Sequence, residues 1–138
     1  MTAHAFQQEQ TGELVVKLEG DKVEDLFTEA ARALAELVGK PTNDPPGPWM
    51  HETVESVDQS ALLVAWLNEL IARTEVDHLL CTEVEIDELT ETQIRARIRG
   101  TPIAEKATTV VSATIHHMKA DLDPRGGVSA TIVLEVQH

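Results

Sequence analysis

The sequence predicts an α+β fold, a single domain ordered β-α-β-α and followed by an antiparallel β-meander, with two helices packed on one sheet. Three observations carry that expectation. Apolar residues recur at helical spacing in two early segments, around Phe27 and around Trp66. From Asp77 onward the apolar period becomes alternating, and strand-like runs follow one another across short turns, which favours antiparallel pairing. A chain of 138 residues suits one domain with a substantial core.

Residues 1–10 are polar and read as a flexible leader, so the domain is expected to span 11–138. Residues 13–19 have the β-branched content and part of the alternation of a strand, which Gly20 ends. Asp21, with Glu24 three residues later, has the arrangement of a capping box. Val23, Leu26, Phe27, Ala30, Leu34, Leu37 and Val38 then follow at helical spacing, and Gly39 and Pro41 stop the helix. Residues 42–48 hold Pro45, Pro46 and Pro48, which lack a donor and fix φ, so a loop is expected there. Residues 49–57 read as a short strand with Val54 inward, and Asp58 as the N-cap of the next helix. Leu62, Leu63, Trp66, Leu67, Leu70 and Ile71 form the stripe of that helix, which should fade near Arg73 and Thr74. Four further strands are expected at 81–89, 93–103, 108–118 and 128–136. A kink is expected at Gly100-Thr101-Pro102 and a turn at 123–127.

Charge narrows the function. The chain has 24 acidic and 11 basic residues, a net −13. Contact with nucleic-acid phosphate needs clustered Lys and Arg, so direct nucleic-acid binding is not expected. Arg95, Arg97 and Arg99 alternate along one strand face, which reads as a solvated face beside the acidic bulk. Any RNA would be held by a basic partner, and a carboxylate-rich surface suits docking to a basic protein or binding a hard cation. No apolar run is long enough to span a bilayer, and residues 1–10 lack a basic-then-apolar secretion signal. Cys81 is the sole cysteine and reads as a small buried apolar residue, so a cytoplasmic location is expected.

No nucleophilic constellation can be assembled, and Gly126-Gly127 lies in a hairpin turn rather than before a helix, so the chain reads as a non-enzyme. His116 and His117 are adjacent in a strand and should point to opposite faces, one inside and one solvated, rather than chelate one metal. Alternation likewise sends Glu83, Glu85 and Asp87 to a solvated face and Val84, Ile86 and Glu88 to the other. Pattern alone therefore singles out no metal site.

The run Leu62-Leu63-Val64-Ala65-Trp66-Leu67-Asn68-Glu69-Leu70 resembles the second helix of the archeases, small acidic accessory proteins of RNA ligation. Further segments match in order. Gln10-Thr11-Gly12-Glu13 stands where that family opens with His-Thr-Ala-Asp, and Gly100 matches a glycine of its meander. Thr114-Ile115-His116-His117-Met118 resembles its Thr-Tyr-His-Asp-Met strand, and Val133-Leu134-Glu135-Val136 stands where the family closes on a short apolar strand ending in Asp-Ile. The resemblance implies a non-catalytic partner of RtcB-type GTP-dependent RNA (tRNA) splicing ligases, promoting their guanylylation and turnover. It also implies a divalent cation, calcium or magnesium, whose carboxylates fall by position on Glu13 and Glu135.

The chain departs from the family at these positions. Glu replaces Asp at both carboxylates, which keeps the charge and adds a methylene, and the chain runs past Val136 to Gln137 and His138. The family's activating Lys aligns with Val111, while Lys106 lies five residues earlier. These differences leave a second reading, a binding or chaperone-like module that kept the scaffold and lost the ligase-activation site. A metal-dependent hydrolase is a third reading, which the missing nucleophile and base argue against.

Overall fold

The computed structural model describes residues 3–10, 12–119 and 127–137. Its elements are β1 (Ala3–Gln10), β2 (Glu13–Gly20), α1 (Val23–Val38), β3 (Gly39–Pro41), β4 (Met50–Glu55), α2 (Gln59–Asp77), β5 (Leu79–Leu89), β6 (Gln93–Lys106), β7 (Thr109–Lys119) and β8 (Val128–Gln137). The class is α+β as expected, and the strands divide between two antiparallel sheets rather than one. The first runs β1-β2-β8-β7. In the second, β6 pairs with β5, with β4 along residues 93–98 and with β3 near its end. The expected meander is thus split into two hairpins, β5–β6 in one sheet and β7–β8 in the other.

The helices join the two sheets. α1 packs against β2 and β5, and α2 against β7, β4 and β5. All six apolar stripe residues of α2 are buried, as their spacing predicts. Trp66 is fully buried, and its Nε1 donates to the Phe27 carbonyl 3.0 Å away, so the ring brings no unsatisfied donor into the core. Truncating it to Ala would cost about 3–5 kcal/mol through lost burial and the cavity left behind. The Asp58 cap is present, its carboxylate accepting from the Ala61 N–H at 2.8 Å.

Several local expectations are corrected. Residues 3–10 are not a loose leader but strand β1, paired along β2 from Ala3↔Glu19 to Gln10↔Glu13. What holds β1 is tertiary: Phe6 packs on the core, and His4 bonds Glu29 and Glu36 of α1 at 2.6 Å each. The cap of α1 sits one residue later than expected. Lys22 is the N-cap, and the Asp25 carboxylate accepts from the N–H groups of Asp21 and Lys22 at 3.0 and 3.1 Å. α2 continues past Arg73 and Thr74 because both are engaged. Thr74 is buried, and Arg73 bridges Glu52 of β4 and Asp77 one turn on. The helix ends at His78, whose φ of 55° places it in the left-handed region.

Loop 42–48 is as expected, and Gly47 N–H donates to the Gly100 carbonyl at 2.9 Å. Gly100 itself meets β5 so closely that an added Cβ would fall on the Leu80 carbonyl oxygen. The turn expected over 123–127 lies, but for Gly127, outside the described residues. Among the described residues, no helix is long and apolar enough to cross a membrane.

Candidate functional site

Glu13 opens β2 and Glu135 lies near the end of β8, and the antiparallel register makes them direct cross-strand partners. Ser112 of β7 pairs with Glu135 from the other side. Three adjacent strands thus place two carboxylates and a hydroxyl in one row on the outer face of the first sheet. Ser112 Oγ donates to Glu135 Oε2 at 3.1 Å. The row borders a surface depression of about 380 Å³ lined by Gly12, Glu13, Ser112, Thr114, Val133 and Glu135. Gly12 adopts φ 86°, the left-handed region that glycine enters without penalty. Its carbonyl accepts from the Val136 N–H at 2.9 Å, which fixes the start of β2 against β8.

Chemically the row is a set of hard oxygen donors, the kind that Ca²⁺ and Mg²⁺ take. In donor type the residues fit such an ion. Among the described residues, however, no three or more His, Cys, Asp or Glu side chains are grouped to hold a metal. Ser112 is the member of this row that pattern reading missed. Its contribution depends on a register that nothing local announces.

The reason lies in a β-bulge. Pairing shifts between Val110 and Ser112, leaving Val111 as the extra residue. Val110 and Ala113 are buried, whereas Val111 is 43% exposed and Ser112 half-buried, so both intervening residues face outward. Lys106 does not share this strand. It ends β6, and its Nζ binds the Glu75 carboxylate at 3.0 and 3.1 Å. A second bulge falls between Ile115 and His117, so simple alternation does not govern His116 and His117, whose side chains lie outside the described residues.

The acidic run of β5 is also reorganised. Bulges after Cys81 and after Ile86 bring Glu83 opposite Arg99, Glu85 opposite Arg97 and Glu88 opposite Arg95. Glu88 therefore does not face away from the other carboxylates, because the extra residue at Asp87 resets its side. Arg97 binds Glu85 at 2.8 Å and Asp87 at 3.1 Å, and hydrogen bonding to Asp87 raises its pKa. Arg95 and Arg99 bond Glu88 and Glu83. The guanidinium groups of Arg99 and Arg97 also lie over the Trp49 ring, 4.3 and 5.7 Å from its centre. The alternating arginines are paired with these carboxylates, which offset the positive charge that a phosphate would require.

Cys81 is buried, and burial pushes its thiol up to about 11, with the Arg73 charge opposing. At neutral pH it is a thiol with no thiolate character, as its reading as a buried apolar residue requires. Close by, Glu52 is buried on β4 and bonded to Arg73, whose pKa that hydrogen bond raises.

Comparison with known proteins comes to the same fold. The sequence profile of the Archease protein family matches residues 7–136. The chain is 30% identical over 132 residues to "Protein archease" of Methanopyrus kandleri, covering 91% of this chain and 94% of that protein. Among solved structures, protein 1598 of Methanobacterium thermoautotrophicum superposes with a TM-score of 0.75 at 24% identity, covering 96% of this chain and 97% of the other. An archease of Thermotoga maritima, described as a possible chaperone, gives a TM-score of 0.66 at 14% identity and 94% coverage of both chains.

Proposed function

Since the chain belongs to the archease family, we propose that it is a non-catalytic accessory protein that activates an RtcB-type GTP-dependent RNA splicing ligase by promoting guanylylation and turnover. The observation that carries this reading is the direct pairing of Glu13 with Glu135, separated along the chain yet adjacent across β2 and β8. Glu13 and Glu135, with the Ser112 hydroxyl beside them, are the residues proposed to hold a divalent cation, calcium or magnesium. Such an ion, when bound, supplies positive charge for a nucleotide phosphate oxygen. The chain's own part is to present these oxygens on a rigid sheet face and to dock through an acidic surface against a basic partner.

Purified chain added to its cognate ligase is expected to raise ligase guanylylation and multiple turnover. Glu13→Ala and Glu135→Ala should abolish that stimulation while leaving the fold intact by circular dichroism. No stimulation of a ligase that is itself active would remove the reading. Calorimetric titration with calcium and with magnesium tests the ion separately, and absence of heat with either would remove it from the proposal.

A second reading, a binding or chaperone-like module without ligase activation, is favoured by Val111. That position carries an exposed apolar side chain next to Ser112, with no positive charge to offer a phosphate. Absence of stimulation by the parent chain, with a ligase that is itself active, would favour this module, whereas full stimulation by the Glu13→Ala and Glu135→Ala variants would place activation away from the Glu13–Glu135 pair.

A further inference from the structure

Strand β7 is an edge of the first sheet, and its outer side meets helix α2 rather than another strand. The contact is specific. Asn68 Nδ2 donates to the Ala113 carbonyl at 3.2 Å, and the Ala113 N–H donates to Asn68 Oδ1 at 3.0 Å. One side-chain amide thus supplies both hydrogen bonds that a neighbouring strand would have supplied at that residue. Asn68 is half-buried between Leu67 and the exposed Glu69, so a polar side chain there has a task other than filling the core.

The place of this clasp matters. Ala113 directly follows Ser112, and the bulge at Val111 precedes it. A bulge is where a ladder is least constrained, and a change of one residue in register turns a side chain to the opposite face. β8 constrains β7 from one side only. Without a second anchor the segment could relax, and Ser112 Oγ would leave Glu135. We propose that Asn68 is a positioning residue for the Glu13–Glu135 pair. It pins β7 immediately after its bulge and so keeps the Ser112 hydroxyl on Glu135. The inference rests on the reading of that pair as the functional site.

The test uses the full, isotope-labelled chain in solution. Hydrogen exchange at the Ala113 amide and the carboxyl ¹³C signal of Glu135 are compared in the parent, Asn68→Ala, Ser112→Ala and Ile71→Val. The last trims the core one turn along the same helix while leaving both clasp hydrogen bonds in place, and controls for general destabilisation. Asn68→Ala is expected to speed Ala113 exchange about 10-fold, the factor equivalent to losing a hydrogen bond of about 1.4 kcal/mol. It should also move the Glu135 signal toward its position in Ser112→Ala, while Ile71→Val leaves that signal in place. Faster exchange with an unmoved Glu135 signal would make Asn68 a purely structural clasp and overturn the proposal, as would unchanged exchange. If Asn68→Ala does not fold, Asn68→Asp keeps the acceptor for the Ala113 N–H, removes the donor and is read in the same way. The ligase assay remains independent: indifference of ligase stimulation to Glu13→Ala and Glu135→Ala would remove the function of the pair, while the Glu135 signal would still decide the role of Asn68.

Discussion

Val111 concentrates the functional question in one side chain. It is exposed at a bulge, so its replacement need not disturb the core, and surface changes of this kind usually stay within about 0.5 kcal/mol of neutral. Its outward direction beside Ser112 means that a longer cationic side chain would lie on the same face as Glu135. On the proposed ligase role, Val111→Lys should raise the rate of ligase guanylylation about 2- to 5-fold, the factor that corresponds to about 0.5–1 kcal/mol for an exposed charge interaction. A single-turnover guanylylation assay reads this directly, and an unchanged rate would show that the missing charge is not what limits the chain. Glu52 and Arg73 present the opposite case, a pair held partly inside the protein. Removing only Arg73 leaves a buried carboxylate without its main partner, so Arg73→Ala is expected to cost about 3–5 kcal/mol in a denaturant titration. Replacing both residues with Leu should recover most of that loss.

At the scale of elements, β1 depends on His4 more than on its own composition. Burial alone would lower the pKa of His4, but hydrogen bonds to Glu29 and Glu36, together with the charges of those carboxylates, outweigh burial and raise it. Glu29 is buried and also meets Arg32 at 3.4 Å, and Glu36 lies at the surface. Because the folded-state value is raised, the contribution of the imidazolium is fully present below the unfolded value of about 6.5 and is lost as pH rises through the folded value. Stability should therefore decline across that window, and His4→Gln should flatten the decline, costing about 1–3 kcal/mol at pH 6 and less at pH 8.5. Thermal unfolding across this range checks the slope, and equal slopes in the two proteins would contradict it. The same element shows where sequence reading ran out. Both helices were legible because their stripes are local and periodic. β1 was not, since the partners that fix it lie 25 and 32 residues away and its own residues are mostly polar. The bulges at Val111 and Asp87 were equally hidden, and with them the side occupied by Ser112 and Glu88. Glu13 and Glu135 were reached through family resemblance, because no spacing rule connects residues at the two ends of a chain.

For the whole molecule, two sheets bridged by two helices carry a net charge of −13, while the arginines of β6 are already taken up by carboxylates of β5. What remains for a partner is an acidic field. On the proposed role, association with a basic ligase should therefore slow about 10-fold or more as salt rises from about 0.05 to 0.5 M, with a smaller effect on dissociation. Stopped-flow binding at several ionic strengths checks this, and a salt-independent on-rate would point to an apolar interface instead. The architecture also divides the two tryptophans cleanly. Trp66 is sealed in the core against Phe27, whereas Trp49 stands half-buried at the surface under Arg99 and Arg97, and the chain has no tyrosine. Intrinsic fluorescence is thus a two-channel readout that requires no label. Quenchers added to the solvent should dim the red-shifted Trp49 component first, and a partner settling on the β5–β6 face should shield it, while the blue-shifted Trp66 emission persists until the core itself opens.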